Sequence, residues 1–176
     1  MNRDQHIEQR GVTMVELIIV ICIVAILMAI AAPSYKYVTT ANRVSSEVNG
    51  LLGDLQFARA EAIKEGQTIT VCATTNGASC AAAGTPWTGG WLVFTGAAPT
   101  ANGLLRIQKP LSSGDQLTGN NNVSAVSFSR EGFAASLPTG ATLTLQDSTA
   151  NIAYTRCLNI TLVGAMTTQV HGQGTC

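Results

Sequence analysis

Charge is the scarcest ingredient of this chain. Only 11% of its 176 residues are Asp, Glu, Lys or Arg, against about 25% in an average soluble domain. The 10 basic and 10 acidic side chains cancel. No field of the whole molecule therefore gathers nucleic acid, and such a ligand needs a local patch of Lys and Arg. Histidine is nearly absent, with His6 and His171 alone. No Gly-x-Ser-x-Gly elbow, Gly-x-x-x-x-Gly-Lys loop or His-Glu-x-x-His helix occurs, which leaves esterase, nucleotide-hydrolase and zinc-protease chemistry without a site. A lone His171 beside glycines reads as a solvated bystander, so no enzyme activity, cofactor or metal is expected. Apolar residues, by contrast, make up 46% of the chain. That excludes disorder and is enough to fill the core of about one domain.

Where the apolar residues stand is more telling. After a polar stretch ending in Gly11, residues 12–32 form a 21-residue run whose one charge is Glu16. As a helix it is about 31 Å long at about 1.5 Å per residue, which matches a hydrocarbon core of about 30 Å. Three readings compete. A secretory signal has a positive leader and a shorter apolar core, whereas here Arg3 and Arg10 are balanced by Asp4 and Glu8. A permanent single-span anchor explains the length but not the carboxylate. An isolated carboxylate in hydrocarbon costs several kcal/mol unless paired, so an intramembrane Glu marks function.

The string Gly11-Val12-Thr13-Met14-Val15-Glu16, continued by apolar residues to Ala32-Pro33, resembles the class III signal of type IV pilins and pseudopilins. There the short leader ends in Gly, and Glu stands fifth in the mature chain. Val12 departs from the usual Phe at that position. The resemblance implies cleavage by prepilin peptidase between Gly11 and Val12, methylation of the new amine, and retention of the apolar helix. It also implies that Glu16 pairs with the Val12 amine of a neighbouring subunit during assembly.

Beyond Pro33, where a kink is expected, Val44, Val48, Leu51, Leu55, Ala58 and Ala62 recur at helical spacing. They form one apolar stripe, read as a core face packed on a sheet. Gly50 and Gly53 weaken this helix and Gly66 is placed to end it. The stretch from Leu51-Leu52-Gly53-Asp54 through Ala58-Arg59-Ala60-Glu61-Ala62 to Gly66 resembles the GspH/FimT/FimU branch of pilin-like proteins. So do Trp87-Thr88-Gly89-Gly90-Trp91 and Phe128-Ser129-Arg130-Glu131-Gly132.

From Gly66 onward the pattern changes to short β-rich runs at residues 68–73, 90–95, 104–108, 123–129, 141–146, 154–162 and 166–170, separated by turn formers. The expected fold is α+β: a long N-terminal helix, transmembrane in its first half and amphipathic in its second, packed on an antiparallel β-sandwich-like body. The segments are a leader at 1–11, an assembly helix at 12–33, its amphipathic continuation at 34–66 and the ectodomain at 67–176. Both tryptophans are read as buried.

Cys22 falls within the span and acts as a small apolar filler. Cys72, Cys80, Cys157 and Cys176 remain in the ectodomain and allow three pairings. Short loops favour Cys72 with Cys80 and Cys157 with Cys176. Zinc is the rival reading, but no Cys-x-x-Cys pair occurs, and disulfides place the ectodomain in an oxidising periplasm or outside the cell.

The resemblance implies a minor pilin, held in the inner membrane before assembly and displayed at the cell surface afterwards. Its partners are prepilin peptidase and other minor and major pilins. The alternatives within the same branch are a pseudopilin of type II secretion and a DNA receptor for transformation. Receptors of that kind carry Gly-Arg-x-Arg beside a terminal cysteine, where this chain has Gly172-Gln173-Gly174-Thr175-Cys176. With Gln173 and Thr175 in place of arginines, DNA binding is expected to be weak. Arg106, Lys109, Arg130 and Arg156 are the remaining candidates for a phosphate patch.

Overall fold

A computed structural model describes residues 12–100, 103–174 and 176. One helix, α1, runs from Met14–Glu65, and the chain divides into a unit reaching Thr39 and a body from Thr40 to Cys176. The backbone is helical on both sides of residue 33, so the proline does not end the helix. In the first unit the apolar side chains face outward all round, Leu17, Ile21, Val24, Leu27 and Met28 among them. A helix apolar on every face is one meant for lipid or for other helices.

The body is built on the second part of α1. Val44, Val48, Leu51, Leu55, Ala58 and Ala62 are all buried, because spacings of 3 and 4 residues bring them onto one face. Gly66 takes a φ of 65° just past the helix end, a conformation glycine enters without the steric cost of a Cβ. Two antiparallel four-stranded sheets follow. The first orders its strands β3 (Leu104–Gln108), β2 (Trp91–Thr95), β1 (Ile69–Ala73) and β5 (Ala125–Phe128). The second orders β4 (Gln116–Gly119), β6 (Ala141–Gln146), β7 (Arg156–Ile160) and β8 (Met166–Val170).

Side chains of both sheets join the helix stripe in one core, with Val71, Val93, Val126 and Phe128 from the first sheet and Leu143, Leu145, Leu158 and Ile160 from the second. β6 shows the cause plainly. Ala141, Leu143 and Leu145 are buried while Thr142, Thr144 and Gln146 alternate outward, the period of two that a half-buried strand requires. Seven of the eight strands fall within the expected runs. The eighth, β4, was not anticipated, because Gln116-Leu117-Thr118-Gly119 holds a single apolar side chain, and it forms only by pairing with β6 from Gln116↔Gln146 to Gly119↔Leu143.

Candidate assembly site

The start of α1 is organised by Thr13. Its Oγ1 accepts the backbone N–H of Glu16 at 3.2 Å, and its carbonyl accepts that of Leu17 at 3.2 Å. A threonine preceding the helix with glutamate at its third position is the capping-box spacing. Thr13-x-x-Glu16 was readable as such in the sequence, although its cap was not anticipated. Glu16 is exposed within the apolar unit, and none of the described residues forms an ion pair with it. Val12 is exposed, while Gly11 lies outside the described residues.

In the body the cysteines close as Cys72–Cys80, S–S 2.05 Å, and Cys157–Cys176, S–S 2.08 Å. Cys72 sits on the face of β1 turned away from the helix, with Leu92 and Phe94, and Cys80 packs against this small cluster. The second bridge ties the C-terminus to β7. Cys22 is free and exposed in the first unit.

The expected phosphate-binding residues do not form one free basic surface. Arg106 donates to Asp54 at 2.9 Å and stacks over Phe57, 3.6 Å from the ring centroid. The other oxygen of Asp54 accepts Trp91 Nε1–H at 2.9 Å, so the arginine belongs to a network that seats a buried tryptophan. Trp87 is buried too and donates to the Val123 carbonyl at 2.9 Å. Arg130 pairs with Glu131 at 2.7 Å, each holding the other's charged form. Arg156 donates to the carbonyls of Ala153 and Thr155, and Lys109 is exposed just past β3. Arg106 and Arg156 stand on different sheets.

Other polar contacts pair residues far apart in sequence and were not anticipated. Arg43 binds the buried Asp115 with two hydrogen bonds of 2.8 Å. Glu47 accepts the N–H and hydroxyl of Ser112 at 3.0 and 2.6 Å on one oxygen, while its other oxygen is buried without a partner. Burial pushes the Glu47 carboxyl up from its ordinary range; the Ser112 donors oppose this and nearby Asp115 adds to it. Arg59 donates to the carbonyls of Gly132 at 2.9 Å and Val163 at 3.2 Å, joining the helix motif to the Phe128–Gly132 motif.

A helix capped and apolar at its start with a single carboxylate there, amphipathic in its second part and packed there on two antiparallel sheets, defines a pilin-like subunit. Two family descriptions match: "Type II transport protein GspH" over residues 47–164 and "Prokaryotic N-terminal methylation motif" over residues 8–32. The chain belongs to the GspH family and carries the N-methylation motif. Solved structures share the fold. The type IV minor pilin FimU of Pseudomonas aeruginosa, in two crystal forms, aligns with TM-scores of 0.54 and 0.55 at 18% and 17% identity, over 74% and 78% of this chain and 90% of its own. The minor pseudopilin EpsH of the Vibrio cholerae type II secretion system aligns with a TM-score of 0.53 at 16% identity, over 74% of this chain and 99% of its own. No curated protein sequence matches significantly. The chain is thus a structural protein of the pilin-like GspH family, with the fold that a type IV minor pilin and a type II secretion pseudopilin share.

Proposed function

We propose that this chain is a FimU-like minor pilin of a type IV pilus, helping to prime assembly or standing in the tip complex. The observation that carries the reading is Glu16: a carboxylate without an ion-pair partner among the described residues, in an outward-facing apolar helix. Such a group is costly in hydrocarbon until a neighbouring cation meets it. The amine of a processed Val12 on an adjacent subunit is that cation, and helix packing supplies the rest of the association energy. Prepilin peptidase cuts after Gly11, the helix holds the subunit in the inner membrane with its body in the periplasm, and assembly carries it to the surface. The two closed disulfides suit an oxidising periplasm and exposure outside the cell.

A clean deletion strain, scored together for surface pili, secreted enzymes and uptake of added DNA, tests the role. Loss of pili with secretion intact is expected. Loss of secretion alone makes the chain a pseudopilin, and lost DNA uptake with intact pili makes it a DNA receptor. Glu16→Ala is expected to be processed normally yet recovered poorly in sheared filaments. Normal recovery of that variant sinks the pairing argument.

A further inference from the structure

Among the described residues the body exposes few large apolar side chains, and four of them stand on the segments that meet at Arg59: Ile63 (52% exposed), Phe133 (51%), Leu162 (48%) and Val163 (56%). Backbone contacts bring their loops together. Ala134 N–H donates to the Leu162 carbonyl at 2.9 Å, while Arg59 ties Gly132 and Val163 to the helix. The fit is tight, since a Cβ on Gly164 would lie 2.3 Å from the Gly132 carbonyl and one on Gly132 would lie 2.8 Å from Ile63 Cδ1. Beside these residues lies a groove of about 480 Å³ whose lining includes the small residues Ala60, Gly164 and Ala165, which allow close approach to the backbone.

Arg59 is the chemical centre of this face. It is half-buried, both of its hydrogen bonds go to neutral carbonyls, and no carboxylate among the described residues pairs with it. A partly desolvated guanidinium in this state is complementary to a carboxylate, and an apolar patch around it marks a protein interface. A second copy of this chain is poorly suited to supply the acid, because every acidic side chain of its body is already engaged: Glu61, Glu65 and Glu131 by Lys64, Gln67 and Arg130, and Glu47, Asp54, Asp115 and Asp147 by Ser112, Arg106, Arg43 and the Thr149–Asn151 turn.

We propose that this face docks a different pilin-like chain, which seats an apolar side chain in the groove and sets a carboxylate on Arg59. The inference rests on the proposed role as an assembled subunit. The test uses the full chain in its native assembly, with a photo-crosslinking phenylalanine analogue at position 133 or 163, and at exposed Ile152 as control. Crosslinks from 133 and 163 but not 152 are expected, to a chain with its own N-methylation motif and through a peptide holding an apolar residue beside Asp or Glu. Arg59→Gln lowers their yield about fivefold, the equivalent of about 1 kcal/mol, while Arg59→Lys keeps most of it. Phe133→Ser and Val163→Ser, at residues whose carbonyls rather than side chains accept hydrogen bonds, lower recovery in filaments with both disulfides intact. Crosslinks only to a second copy or to lipid, or no crosslinks from a chain present in filaments, overturn the docking and leave the proposed role standing. Absence of the chain from every filament and pseudopilus overturns both.

Discussion

Replacing Arg43 with Met separates the worth of a buried ion pair from that of the packing around it. The side chain of Asp115 has no exposure, and that of Arg43 retains 29%. Two unit charges about 4 Å apart attract by about 4 kcal/mol at an effective dielectric constant near 20, but folding has already stripped the aspartate of water. Arg43→Met therefore leaves a desolvated carboxylate without its two donors, a situation that costs about 3–5 kcal/mol when both partners are fully buried. Water reaches the arginine here, so the expected loss is nearer about 2–3 kcal/mol. Urea unfolding of a soluble fragment covering residues 34–176 reads this as a midpoint lowered by about 1–2 M with an unchanged slope. Adding Asp115→Asn to Arg43→Met should recover part of the loss, because an amide is cheaper to bury than a charge. A single-variant loss below about 0.5 kcal/mol, in the range of surface pairs, refutes the reasoning.

The same fragment tests the acid side of this cluster. A carboxyl held above its ordinary value in the folded state contributes stability that is present at low pH and lost as pH rises through the raised value. Glu47 therefore makes stability fall as pH rises above about 4.5, the ordinary value. Asp147 acts oppositely: burial works against its charge, but donors from Thr149 and Asn151 hold its carboxyl below the usual range. Its stability is present above about 3.8 and is lost as pH falls through the lowered value. Glu47→Gln should remove the decline toward neutral pH, and an unchanged pH profile contradicts the assignment. Gly53→Ala should raise stability by about 0.5–1 kcal/mol, since a Cβ there meets nothing within 4 Å; a lower midpoint shows that the position is crowded. DNA binding by the fragment should be weak and vanish near physiological salt, and a gel shift that persists there restores the phosphate-patch reading.

Much of the architecture was legible because it depends on period. The stripe from Val44 to Ala62 is buried as its spacing demands, and strands such as β6 announce themselves by alternation. β4 was illegible, since an edge strand with one apolar residue carries no period and is defined by its neighbour. The cysteines were legible as candidates through loop length. The candidate basic patch shows the opposite limit: a sequence displays Arg106 and Arg130 as charges, but only the fold shows that Asp54 and Glu131 already meet them.

What the sequence determined by itself is what depends on neighbours within a few turns: the apolar run, the Thr13-x-x-Glu16 cap and the helix stripe. Hydrophobic periodicity and local hydrogen bonding are short-range effects that survive without tertiary contacts. The tertiary structure alone decided which distant polar groups meet. Arg43 finds Asp115 across 72 residues, and Arg59 reaches Gly132 across 73 and Val163 across 104. These partners are chosen by strand order and loop packing, which bring chain segments together through the burial of quite different side chains. The Arg59 face exists for that reason, as an apolar surface assembled from a helix and two loops that are remote from one another along the chain.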